Sequence, residues 1–137
     1  MTACDKSFSI FESTGILLYT PEPNNLRVVI DPGISDFYRA LIPKWISVNG
    51  QMYPPHISVV RKEIIPNTEN WGKYEGQEVV FRYSNIIHSN EVYFWLNVFC
   101  TKLEEIRIEL GLPVSSVYTR PPDGYNKVFH TTLANKK

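Results

Sequence analysis

The sequence is short of cysteine, balanced in charge and free of long apolar runs, and each shortage excludes something. Cys4 and Cys100 are the only cysteines and form no CxxC pair, so no disulfide framework can be drawn. Free thiols in a reducing compartment follow, and a cytosolic protein is expected. The chain carries 14 basic and 14 acidic residues, for a formal charge of zero. A protein that grips long DNA or RNA shows a basic stripe, because neutralised phosphates supply most of its affinity. None is visible here, so long nucleic acid is not expected as a partner; a small nucleotide with a few phosphates would need no stripe. No apolar run approaches the ~20 residues of a membrane span, and the N-terminus lacks the basic-then-apolar layout of a signal peptide. No HxxxH, acidic triad or thiolate cluster has the spacing of metal ligands. Neither metal nor cofactor is therefore expected.

What is present argues for a packed globule. Hydrophobic residues make up 43% and aromatics 13% of 137 residues, which suits one domain over residues 1–137 with a core of its own. Residues 7–20 read as two strands around a turn at Ser13-Thr14-Gly15, and Leu26–Ile30 as a β-branched strand ended by Asp31-Pro32-Gly33. Ser35 is a plausible N-cap for a short helix that Pro43 stops. Lys44–Val48 reads as a strand with a turn at Asn49-Gly50, and Glu78–Tyr83 as another strand. Residues 86–95 suggest a short strand handing over to a helix. Leu96–Leu110 shows apolar residues at helical spacing, with Gly111 placed as a C′ glycine. Val114–Tyr118 reads as a strand before the loop 119–124. Together these predict an α+β domain in which each half offers strands, a helix and then a histidine-bearing strand.

Those two strands carry the chemistry. Pro54-Pro55-His56-Ile57-Ser58-Val59-Val60 places His56 and Ser58 on one strand face, since side chains alternate. Val128-Phe129-His130-Thr131-Thr132-Leu133 does the same for His130 and Thr132. A single H-x-(S/T) is weak evidence, and His88-Ser89-Asn90 misses the pattern. The ordinary alternative is two half-buried histidines, each bonded locally.

The paired motifs resemble the two-histidine (2H) phosphoesterases. The wider context of Gly33–Arg39, Pro55–Glu63, Leu103–Arg107 and Phe129–Thr132 resembles their T-even-type phage anti-CBASS branch, nucleases of cyclic nucleotide messengers. The resemblance implies a bilobal α+β fold, with two antiparallel sheets flanking a cleft and helices outside. It implies catalytic roles for His56, Ser58, His130 and Thr132, and no metal. Ser58 stands where the family commonly has Thr; it keeps the hydroxyl and loses the methyl that restricts the rotamer. The chain ends at Lys137, so any C-terminal lid is expected to be short or absent.

The chemistry suits the residues. Cleaving a 3′–5′ phosphodiester needs a base for the attacking oxygen and an acid for the departing one, and two imidazoles can divide those tasks. Either histidine can take either role, and the nucleophile is either the substrate's 2′-OH or water. Ser58 and Thr132 can donate to the non-bridging oxygens. A bell-shaped rate profile with two apparent pKa values near neutrality is expected. Tyr19, Trp71, Tyr74 and Tyr118 are candidates to stack on bases, with Tyr19 and Trp71 preferred. Arg61, Lys62, Arg120 and Lys127 are candidates for a second phosphate, with Arg120 slightly ahead. The leading expectation is a metal-independent phosphodiesterase that degrades cyclic di- or trinucleotides and so blinds host CBASS defence. The rivals are an enzyme of RNA 2′,3′-cyclic phosphates or 2′–5′ linkages, and a sponge that binds cyclic nucleotides without cutting them.

Overall fold

Alternation of apolar and polar residues builds the first two strands. In the computed structural model, which describes residues 9–20, 24–50, 54–123 and 128–137, Ile10–Thr20 forms β1 and Asn25–Ile30 forms β2. Leu17, Tyr19, Leu26, Val28 and Ile30 turn into the core. No turn interrupts β1 at Ser13-Thr14-Gly15. Gly15 lies in mid-strand opposite Ile30, where an added Cβ would fall 2.4 Å from a Val28 methyl and 2.7 Å from the Val29 carbonyl oxygen. The glycine marks a close approach of two strands, not a reversal.

Helix α1 spans Pro32–Arg39 and starts earlier than Ser35 suggested. Asp31 is its N-cap, with Oδ1 accepting the Gly33 N–H at 2.8 Å, and Pro32 fills the first turn, where a missing N–H costs nothing. Ser35 is buried inside the helix. Strand β3 is only Val48–Gly50, so Asn49-Gly50 lies in a strand and not a turn. His56–Arg61 is β4, Glu78–Ser84 is β5, and a 3₁₀ turn at Thr68–Asn70 lies between them.

The largest departure falls at residues 88–109. His88–Ser89 (β6) and Tyr93–Phe99 (β7) are strands, and helix α2 is confined to Thr101–Glu109. Phe94 through Val98 are buried on both faces of β7, so the run has no period of two and imitates a helix face. Beyond α2, Gly111 adopts φ 86° as a C′ glycine, and its N–H reaches the Ile108 carbonyl. Residues 114–118 form no strand. Phe129–Lys136 is β8.

These strands close on themselves. Six of them pair antiparallel in the order β8, β4, β2, β1, β5, β7, and β7 pairs back onto β8. β3 extends the sheet beside β8, and β6 beside β7. The molecule is thus a mostly β, six-stranded closed barrel with two extra strands and two short helices. This corrects the expected bilobal α+β fold with two separate sheets. The β5–β7 pairing at Arg82–Phe99 and Tyr83–Val98 joins what would have been two lobes, and it needs Leu96–Phe99 as strand.

Two apolar clusters fill the inward faces. The larger joins Leu17, Val28, Ile57, Phe81, Val98 and Phe129 to Leu103, Ile106 and Leu110 of α2. Each such buried side chain contributes about 1.5–3 kcal/mol. The smaller sets Tyr38 and Ile42 against Phe94, Leu96 and Leu133. Because inward positions are mostly apolar, the residues between them face out, and there the two motifs meet.

Candidate active site

Strands β4 and β8 touch at one residue pair, Ile57 with Thr131, and the Thr131 hydroxyl donates to the His56 carbonyl at 3.0 Å. Ile57 and Thr131 are both buried on the inward side. Alternation then turns His56, Ser58, His130 and Thr132 outward around that pair. Antiparallel register carried outward from the pair sets His56 opposite Thr132 and Ser58 opposite His130. The two histidines lie on a diagonal, which in a regular sheet separates the residues by about 7–8 Å and their Cβ atoms by somewhat less. All four line one cavity of about 680 Å³, roofed by Val117, Tyr118, Arg120 and Pro122 of the segment before β8.

Both imidazoles are oriented in the same way. His56 Nδ1 lies 2.9 Å from the Pro54 carbonyl oxygen, and His130 Nδ1 lies 3.2 Å from that of Thr119. A carbonyl only accepts, so each ring carries its proton on Nδ1, and Nε2 is left as the acceptor, with no partner among the described residues. Their electrostatics differ in degree. Burial lowers His56 below its ordinary range; the Pro54 carbonyl opposes this, while Arg27 and Arg61 add to it. Burial takes His130 much further, to about 4, with the Thr119 carbonyl and Asp123 opposing and His56 and Arg61 adding.

Behind His130 the wall is a hydrogen-bonded polar layer. Asn97 of β7 pairs with His130 and Trp95 with Thr132. The Trp95 indole N–H donates to Asn97 Oδ1 at 3.0 Å, and Asn97 Nδ2 donates to His88 Nε2 at 3.4 Å. His88, the histidine outside the motif, therefore carries its proton on Nδ1, which faces Asp123 at 4.0 Å. It also stacks on Trp95. Its role here is to hold the wall and the loop end.

Among the proposed contact residues, Tyr118 and Arg120 line the cavity, as do Arg61 and Lys62. Tyr19 and Trp71 do not. Tyr19 is 7% exposed, its ring meets Trp71 edge-on at 5.0 Å, and its hydroxyl accepts the Tyr74 N–H, so the pair packs against the larger core. The end of an apolar strand looked accessible in the sequence but is covered by the 71–75 segment. Tyr74 also lies on that side, with its hydroxyl donating to Glu109 at 2.7 Å. Lys127 lies outside the described residues. Tyr93 and Arg27 are among the lining residues that the sequence reading missed. The signal for Arg27 was available: Asn25–Ile30 alternates, and the arginine stands at an outward position between the apolar Leu26 and Val28.

Comparison of the chain with protein-family models, with curated proteins and with solved structures gives no match in any of the three. The site is accordingly read from its own geometry. Among the described residues, no three His, Cys, Asp or Glu side chains cluster closely enough to hold a metal ion. Arg27, Arg61, Lys62 and Arg120 line the cavity, and no Asp or Glu is among its described lining. Two outward imidazoles and two hydroxyls, groups able to exchange protons and to donate to an anion, thus share one cavity with four cations.

Proposed function

We propose that the protein is a metal-independent phosphodiesterase that cuts cyclic di- or trinucleotide messengers and, as the 2H resemblance implies, removes the signals of a host CBASS defence. The observation that carries this reading is the gathering of His56, Ser58, His130 and Thr132 around the single Ile57–Thr131 pair in one cavity. The fold lends it no weight, since the closed barrel departs from the fold the resemblance implied.

The geometry suggests a division of labour. His130, held neutral by burial, takes the proton from the attacking oxygen at Nε2. That oxygen bonds to phosphorus, the P–O5′ bond breaks, and the departing oxygen receives a proton from His56 Nε2 in its charged form. If the 2′-OH attacks, the product is a linear isomer ending in a 2′,3′-cyclic phosphate; if water attacks, the product gains one water. Ser58 and Thr132 hydroxyls donate to the non-bridging oxygens as charge grows there.

A second reading has its own support. Both imidazoles are biased towards neutrality, and a site without a charged imidazole binds an anion but offers no proton to the leaving group. Such a site would be a sponge. One experiment separates these: incubate the protein with cyclic di-AMP, cyclic di-GMP and a cyclic trinucleotide in EDTA and chromatograph the products. Linear product is expected. Ligand that is depleted but recovered intact on denaturation would mean sequestration. Turnover confined to 2′,3′-cyclic ends or 2′–5′ linkages would mean an RNA-directed enzyme.

A further inference from the structure

The cations of the cavity are not spread evenly. Arg27 pairs with Ser58 across β2 and β4, on the side of Ser58 away from His130, one strand spacing (about 4.8 Å) farther from the β4–β8 seam. Its Nε is buried and has no hydrogen-bond partner among the described residues. A buried guanidinium nitrogen left without an acceptor costs free energy, and the charge it belongs to lines the cavity with no protein acceptor at that nitrogen among the described residues.

The neighbouring cations are kept free by a specific arrangement. Lys62 is the one non-glycine residue with positive φ (55°) among those described, a conformation that costs an L-residue about 1–2 kcal/mol. The twist it introduces sends Glu63 inward, where both carboxylate oxygens accept from Arg107 at 2.8 Å. Arg107 is fully buried and also donates to the carbonyls of Val59 and Pro113. The acid nearest in sequence to Arg61 and Lys62 is thus committed to Arg107, and both cations line the cavity without an ion pair among the described residues. Strain of this kind persists where the surrounding structure over-determines it, often at ligand sites.

We propose, resting on the two-histidine reading above, that Arg27, Arg61 and Lys62 form a second anion subsite on the β2 side of the cavity. It takes a further phosphate of the same ligand, beyond the one held between the imidazoles. The preferred ligands are then nucleotides with at least two phosphates, and a single cyclic phosphate leaves the subsite empty.

Calorimetric titration tests this. The probes are the phosphorothioate forms of cyclic di-AMP and cyclic di-GMP, which resist cutting, and 2′,3′-cyclic AMP, which has one phosphate. Arg27→Met is expected to weaken dinucleotide binding about tenfold or more, as loss of a charge-assisted hydrogen bond does, and to leave 2′,3′-cyclic AMP within about twofold. Arg27→Lys recovers part of the loss. Arg61→Met, at an exposed position, gives the same selective loss and decides the matter if Arg27→Met does not fold. Equal weakening of both ligand types, unchanged dinucleotide affinity, or no dinucleotide binding by the unaltered protein would overturn the subsite. Failure of the catalytic reading looks different: unmodified dinucleotides stay uncut while the selective binding loss persists.

Discussion

The two histidine strands carry the same three-residue pattern and the same Nδ1-to-carbonyl lock, yet they sit in different surroundings. His56 lies at the start of β4, close to Arg27 and Arg61, and burial depresses it moderately. His130 lies near the start of β8, between the Asn97 layer and the Thr119 loop, and burial drives it to about 4. The comparison teaches that a repeated motif sets which ring atom faces the cavity, while the wall around it sets how far burial lowers that ring's proton affinity. Position is shared and the depth of the shift is not.

The strongest way to break the comparison is to remove either ring. His56→Ala and His130→Ala are each expected to lower the cutting rate by about 10²- to 10⁴-fold with the fold kept, as judged by circular dichroism. Activity surviving in one variant would take that ring out of the mechanism. The next largest effect concerns the ion pair that holds Glu63 away from Arg61 and Lys62. Glu63→Gln leaves Arg107 charged and buried without its partner and is expected to cost about 3–5 kcal/mol of unfolding free energy in a denaturant titration. A cost below about 1 kcal/mol would show that Glu63 is not needed to hold that guanidinium.

Acid stability sharpens the contrast. A histidine held at about 4 when folded and near 6.5 when unfolded binds its proton more readily in the unfolded chain. Stability is therefore complete above 6.5 and falls as pH drops towards 4, by up to about 3 kcal/mol for His130 and by less for His56. His130→Asn should flatten that fall, and an unchanged slope would show that His130 is not depressed. The smallest effect falls on the roof: Tyr118→Ala is expected to weaken nucleotide binding by about 1–3 kcal/mol if the ring stacks on a base, whereas Trp71→Ala should act on stability and leave the ligand alone.

The grouping of the four motif side chains was more legible in the sequence than the fold was. The alternation around His56 and His130 was enough to place four groups on outward faces, because the opposite faces carry Ile57 and Val59 in β4 and Phe129 and Leu133 in β8. What it lacked was the partner strand, and with it Arg27, which comes beside Ser58 only through the β2–β4 register. The closed barrel was illegible for a local reason: β7 is buried on both faces, so Leu96–Phe99 merged with the helical pattern that follows. Gly15 misled in the opposite sense, as a turn residue used for close approach to Val28. Tyr19 misled because burial by a distant segment leaves no mark on the strand itself.

The central claim is that one imidazole stays neutral while its twin supplies the proton. The pH dependence of kcat/KM on a cyclic dinucleotide tests it most directly. With His130 at about 4 and His56 lowered by burial from its ordinary range, the profile should be a bell on the acid side of neutrality, falling about tenfold per unit above pH 7. A rate that holds level or climbs from pH 7 upward would contradict the account.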